Sequence, residues 1–168
     1  PRFNAWLATE TDGFPHTRVS QGLDWVDRQI QAGTRPTPQL LLTLMFGEYL
    51  EEQSRRFRAA GSPTQQALDM AIAEFLGELA GTVQIPHKVG VMVRDILSHQ
   101  HRFRKTPGRQ PLSFVARAGF ADAFAYLRFA SEVSGANREL ICWWEKFILE
   151  TPPAPIAAEG VPSSPKPS

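Results

Sequence analysis

The chain has a single cysteine, Cys142, so no internal disulfide can form. Cys142 lies in an apolar run beside Trp143 and Trp144, and reads as a buried, inert thiol. So little cysteine fits a reducing compartment, and the cytoplasm is the expected location. No apolar stretch approaches the roughly 20 residues that a membrane span needs. The longest, Leu40 to Phe46, is broken by Thr43 and followed by Gly47; no membrane partner is expected. A glycine-rich phosphate loop is absent, since Gly61 to Pro63 and Gly108 are turn punctuation. Neither a nucleophile motif of Ser, His and Asp nor a pair of strand aspartates able to hold Mg²⁺ is present. On a helix the rings of His99 and His101 point about 200° apart and cannot share a metal ion. Asp24 and Asp27, and the neighbours Glu51 and Glu52, read as solvated helix faces. No catalytic residue, no metal site and no cofactor is therefore assigned, and the chain alone is not expected to be an enzyme. It opens on Pro1-Arg2-Phe3 without a starting methionine, which reads as a cut from a longer protein.

Hydrophobic residues at 42% and charged residues at 21% are globular values rather than those of a disordered chain. Few runs alternate with a period of two, and no hairpin signal separates apolar runs. The spacing instead predicts helix after helix: Asn4 to Ala8, Ser20 to Gln31, and a long helix opened by Thr37 as cap and Pro38 in the first turn, ending at Gly61. Ser62 is expected to cap the next, whose stripe is Leu68, Ile72, Phe75, Leu76 and Leu79. Pro86 opens another that ends near Pro107-Gly108. A short helix from Pro111 to Ala118, one from Phe120 to Val133 and one from Ala136 to Leu149 complete the series. The expected fold is all-α, an irregular bundle or array of about seven or eight helices over residues 1–150. Residues 151–168, rich in Pro, Ser and Ala, read as a disordered tail.

The charge is balanced in total, at +1, but not along the chain. From Ile85 to Ala130 stand eight basic residues, Lys88, Arg94, Arg102, Arg104, Lys105, Arg109, Arg117 and Arg128, against Asp95 and Asp122. A concentrated basic belt on a near-neutral chain is the footprint of a polyanion-binding surface. At about 100° per residue, Val89, Met92, Val93, Ile96 and Phe103 share one side of the helix from Pro86. Arg94, His101 and Lys105 share the opposite side, with Arg102 flanking. Arg104 and Arg109 add charge at the following turn, and Arg117 and Arg128 would join if their helices pack alongside. The candidate polyanion-binding residues are thus Lys88, Arg94, His101, Arg102, Arg104, Lys105, Arg109, Arg117 and Arg128. A solvated basic face is the plain alternative. Arg55, Arg56 and Arg58 read as structural, complementing the negative pole at a helix C-terminus. Of the aromatic residues among the cations, Phe120 and Phe124 read as core, whereas Phe114 and Tyr126 could lie at the surface and stack on bases.

In their order and spacing, several segments resemble the bacterial poly(A) polymerase I family. These are Arg35-Pro36-Thr37-Pro38 before a Leu-rich helix, Ile85-Pro86-His87-Lys88 leading to Arg94-Asp95-Ile96, Gly119-Phe120 to Phe129-Ala130 with Arg128, and Cys142-Trp143-Trp144-Glu145-Lys146-Phe147 before a Pro-rich stretch. The resemblance runs from Phe3 to about Pro153. The family is a class II nucleotidyltransferase family shared with tRNA CCA-adding enzymes. The resemblance implies a parent with an N-terminal catalytic head, using ATP and Mg²⁺ to add adenylates to RNA 3′ ends. This chain then corresponds to the helical C-terminal part that holds single-stranded RNA 3′ ends, with the head as its partner. An Arg-rich extreme C-terminus is usual there, but after Thr151 the only base is Lys166, which leaves the 85–130 belt as the expected RNA contact. The rivals are the corresponding region of a CCA-adding enzyme, which would prefer tRNA, and a helical module whose basic face docks an acidic protein.

Overall fold

The structure, a computed structural model, describes residues 2–10, 18–105 and 110–151. Among them are eight α-helices and no strand: α1 Arg2–Glu10, α2 Arg18–Gln31, α3 Pro38–Ala59, α4 Thr64–Leu79, α5 His87–Phe103, α6 Gln110–Val115, α7 Phe120–Ser134 and α8 Arg138–Glu150. The all-helical expectation is met. The expected tail lies outside the described residues from 152 onward, as do Arg109, His16 and the Pro107-Gly108 turn.

The long helix α3 is the central strut, packed by α2, α4, α5 and α7. It starts where its sequence says. Pro38 fills the first position, where its missing N–H costs nothing, and Thr37 Oγ1 accepts a hydrogen bond from the Leu40 N–H at 3.2 Å. The same hydroxyl donates to Asp122 at 2.8 Å, and the Gln39 amide donates to that carboxylate at 2.9 Å. One acid at the start of α7 thereby fixes the start of α3. Midway, α3 comes so close to α7 that a Cβ on Gly47 would stand 2.5 Å from the Tyr126 hydroxyl.

The start of α4 corrects the sequence reading. Pro63, not Ser62, holds the cap position, and no side chain caps the helix. Proline has fixed its own φ there, and the Ser62 hydroxyl turns towards Met70 Sδ at 3.7 Å. Cys142 is also corrected: its side chain is exposed. Trp144 is the residue of α8 that is fully buried. A residue two positions before it points about 200° away, so burying Trp144 turns Cys142 out to solvent.

Two apolar clusters result. The larger gathers Phe3, Trp25, Leu44, Tyr49, Leu50, Phe75, Ile96 and Phe129, and in it the ring of Phe3 meets Phe46, Tyr49 and Phe75 edge-on at 5.1 to 5.4 Å. The smaller gathers Phe103, Phe114, Phe120, Phe124, Leu127 and Trp144. Helices α5 and α7 contribute to both, so the last turn of α5 is seated in the smaller core while its earlier turns lie in the larger. Phe114 and Tyr126, which the sequence leaves free to stack, are both buried at 5% exposure.

Candidate nucleic-acid interface

The C-terminal turns of α5 carry the densest charge, and one bond holds them in place. The Trp144 indole N–H donates to the carbonyl of Phe103 at 2.9 Å. That carbonyl belongs to the last residue of α5, where helices run out of internal donors. The buried Phe103 ring lies on the inner side, so His101, Arg104 and Lys105 face solvent and Arg102 is half-buried. Arg117 comes from the turn between α6 and α7, where its N–H donates to Phe114 O and its own carbonyl accepts from the Phe120 N–H.

His101, Arg102, Lys105 and Arg117 meet around a half-open cavity of about 430 Å³, with Ser113, Phe114 and Trp144 also in its lining. A second depression continues from it between α5 and the Arg117 turn. It shares His101, Arg102 and Arg117 and adds Arg94, Asp95, Ser98 and His99. Among the described residues His101, Arg102, Arg104, Lys105 and Arg117 form no ion pair. Cations that converge without counter-charges, over a cavity and in reach of solvent, can take an anion at small desolvation cost.

The other belt residues are placed differently. Arg94 is half-buried and held by two acids, Asp69 at 3.5 Å and Asp95 at 3.2 Å. Arg128 pairs with Glu145 of α8 at 3.6 Å and lines none of these cavities. Lys88 sits in the first turn of α5, roughly 20 Å along the axis from His101 at about 1.5 Å per residue. The structure therefore brings together His101, Arg102, Lys105 and Arg117, with Arg104 next to them, and leaves Lys88 and Arg128 apart.

His99 is turned inward. Its ring meets Phe114 edge-on at 5.3 Å, and its Nδ1 is buried without a hydrogen-bond partner. Burial pushes its pKa below the ordinary histidine value, and Arg102 pushes it further down; Asp95 opposes, while Arg117 and His101 add to the lowering. His99 and His101 therefore face different surroundings. Among the described residues no three His, Cys, Asp or Glu side chains stand together as a metal-binding group.

Sequence reasoning missed part of this surface. Arg55 and Arg58, assigned to the helix pole of α3, line a groove of about 510 Å³ that also holds Arg18, Arg104 and His101. The i, i+3 spacing of Arg55 and Arg58 marks them as one face of α3, but only the packing of α3 against α5 sets that face beside Arg104. Arg56, by contrast, bonds to Gln53 on its own helix.

Residues 60–159 match the model of the family described as polymerase A arginine-rich C-terminus. The chain belongs to that family. The polymerase A arginine-rich C-terminus match covers α4 to α8 and so the whole 85–130 belt, although no arginine or lysine lies between Thr151 and Glu159. The chain is 26% identical over 149 residues to Poly(A) polymerase I of Escherichia coli O157:H7, covering 86% of this chain and 32% of that protein. It is 24% identical over 156 residues to Poly(A) polymerase I of Salmonella typhi, covering 91% of this chain and 34% of that protein. The chain thus spans about a third of the length of the curated relatives it matches. These matches bear out the resemblance to the C-terminal region of bacterial poly(A) polymerases. No helix among the described residues is long and apolar enough to cross a membrane.

Proposed function

We propose that this chain is the RNA-holding C-terminal part of a poly(A) polymerase-like enzyme of the bacterial cytoplasm. It positions an RNA 3′ end for template-independent adenylate addition by a catalytic head elsewhere in the parent. ATP and Mg²⁺ belong to that head. The observation that carries this reading is the set of unpaired cations Arg102, Lys105 and Arg117, with His101 beside them, around one open cavity. Phosphate oxygens placed there would accept charge-assisted hydrogen bonds from the guanidinium forks and the ammonium. Arg109, outside the described residues, belongs to the same proposed contact by sequence.

Low base specificity goes with this arrangement. The aromatic rings Phe103, Phe114, Phe120, Phe124, Tyr126 and Phe129 are all buried, so none presents a face for a base to stack on. Backbone charge contacts fix position without reading sequence. The test is competition. A labelled single-stranded oligoadenylate bound to the chain should be displaced about equally well by a scrambled single strand and less well by folded tRNA. Preference for tRNA over either single strand would instead favour a CCA-adding parent. Failure of every RNA to bind at low salt would favour an acidic protein partner.

A further inference from the structure

The groove between α3, α5 and the start of α4 is cationic in its own right. Of its arginines, Arg18 is already committed: its Nε donates to Glu48 at 3.1 Å and its guanidinium stands 5.5 Å from the Phe129 ring centroid. Arg58 and Arg104 form no ion pair among the described residues, and Arg55 is balanced only by Glu51, one turn earlier on α3. Among the described residues Glu51 is the sole acid in the lining. The first residues of α4, Thr64 and Gln65, also line the groove, and no side chain caps that helix. Its positive pole therefore adds to the field of the arginines.

His101 lines this groove, the cavity at Arg102, Lys105 and Arg117, and the depression between them. Gln65 and Ser98 are likewise shared by the groove and the depression. Through these shared residues the three hollows adjoin one another around the outer side of α5.

We propose that this groove is a second RNA-contacting arm, and that one single strand crosses α5 at His101 to lie on Arg102, Lys105 and Arg117 on one side and on Arg104, Arg58 and Arg55 on the other. The proposal rests on the RNA-holding reading and extends it to residues outside the basic belt. The ligand is a single strand because the course bends around one helix, a cylinder about 10 Å across. A nucleic-acid duplex is stiff over about 150 base pairs and cannot follow such a bend. The apolar floor, Leu68, Leu97 and Leu127, offers bases a dry wall without a donor pattern to read.

The experiment uses the full chain and a labelled oligoadenylate of about 16 nucleotides, long enough to engage both arms. Affinity is measured by anisotropy across a salt series. For single strands the log–log slope changes by about 0.7 per neutralised phosphate. R55Q/R58Q/R104Q should shallow the slope by about 2 and weaken low-salt binding at least tenfold. R55K/R58K/R104K, which keeps the charge, should keep the slope. R28Q/K146Q, which removes two cations ion-paired elsewhere to Glu132 and Glu150, should leave it unchanged. A rigid RNA duplex should bind with the same slope to the parent and to R55Q/R58Q/R104Q. Single-strand binding whose slope is equally steep in the parent and in folded R55Q/R58Q/R104Q overturns the second arm and leaves the first. No single-strand binding by the parent overturns the underlying reading, and the second arm with it.

Discussion

Replacing Trp144 with Phe should loosen the end of α5 and so the whole cationic cavity. Trp144 is 0% exposed. Its ring lies 5.4 Å from Phe103, 5.7 Å from Phe114 and 5.8 Å from Phe120, and its N–H is donated to the Phe103 carbonyl. W144F keeps an aromatic ring in the smaller core but deletes the donor, which costs about 1 kcal/mol for a buried hydrogen bond. The smaller ring surrenders about another 1 kcal/mol of buried apolar area. At roughly 2 to 4 °C per kcal/mol for a chain of this size, Tm should fall by about 4 to 8 °C. Because Phe103 ends the turn that carries His101 and Arg102, amide exchange at residues 101–105 should accelerate more than exchange in α3. Thermal melting by circular dichroism and native-state hydrogen exchange read the two effects. A Tm within about 1 °C of the parent, or acceleration spread evenly over the helices, would refute the idea that Trp144 anchors this turn.

Other outcomes follow from the same contacts. G47A should gain up to about 1 kcal/mol of helix propensity, yet lose more from the 2.5 Å approach to the Tyr126 hydroxyl, for a net loss of about 1 to 2 kcal/mol; a melt showing equal or higher Tm would contradict the close α3–α7 approach. Burial raises the Glu51 carboxyl above its ordinary value of 4.5, against the pull of Arg55 and Arg18. The folded chain then binds that proton more tightly than the unfolded one, so stability falls as pH rises through 4.5 towards the folded pKa. E51Q should therefore raise Tm at pH 7 and give no such gain below pH 4, and a gain of the same size at both pH values would exclude this origin. His99 has the opposite sign: its lowered pKa makes stability fall as pH drops from the ordinary value of 6.5 towards the folded pKa, a slope that H99Q should remove. An RNA phosphate between Arg102 and Arg117 would offset two of the charges that disfavour protonated His99. Its pKa, followed by NMR of the ring, should move up when oligoadenylate is added, and no movement would argue against phosphates at this site.

Much of the fold is written locally. Thr37-Pro38 states where α3 begins, Gly135 at φ +72° closes α7, and the i, i+4, i+7 spacing of Phe120, Phe124 and Leu127 marks them as core. Local pattern fails where one element decides the fate of another. Arg94 sits on the polar side of α5 as its angle requires, but Asp69, 25 residues earlier and on α4, neutralises it. Arg128 lies in the basic belt by sequence and beside Glu145 in space. Cys142 stands next to two tryptophans, yet the one that is fully buried turns it outward. Arg55 and Arg58 satisfy a helix-pole rule so well that nothing in their own neighbourhood points to Arg104, which reaches them only through the packing of α3 on α5. The family membership was legible because the order of several weak helix-packing segments, taken together, is far more specific than any one of them.

The most direct measurement is anisotropy of a labelled single-stranded oligoadenylate titrated with the chain across a salt series, beside R102E/K105E/R117E, with both proteins shown to be folded by circular dichroism. With Arg102, Lys105 and Arg117 on phosphates, the log–log slope of the parent should be about −2 or steeper, and the charge-reversed variant should lose most of both the slope and the low-salt affinity. Absence of binding by the folded parent at low salt, or an identical slope in the folded variant, would contradict the claim that these residues hold RNA.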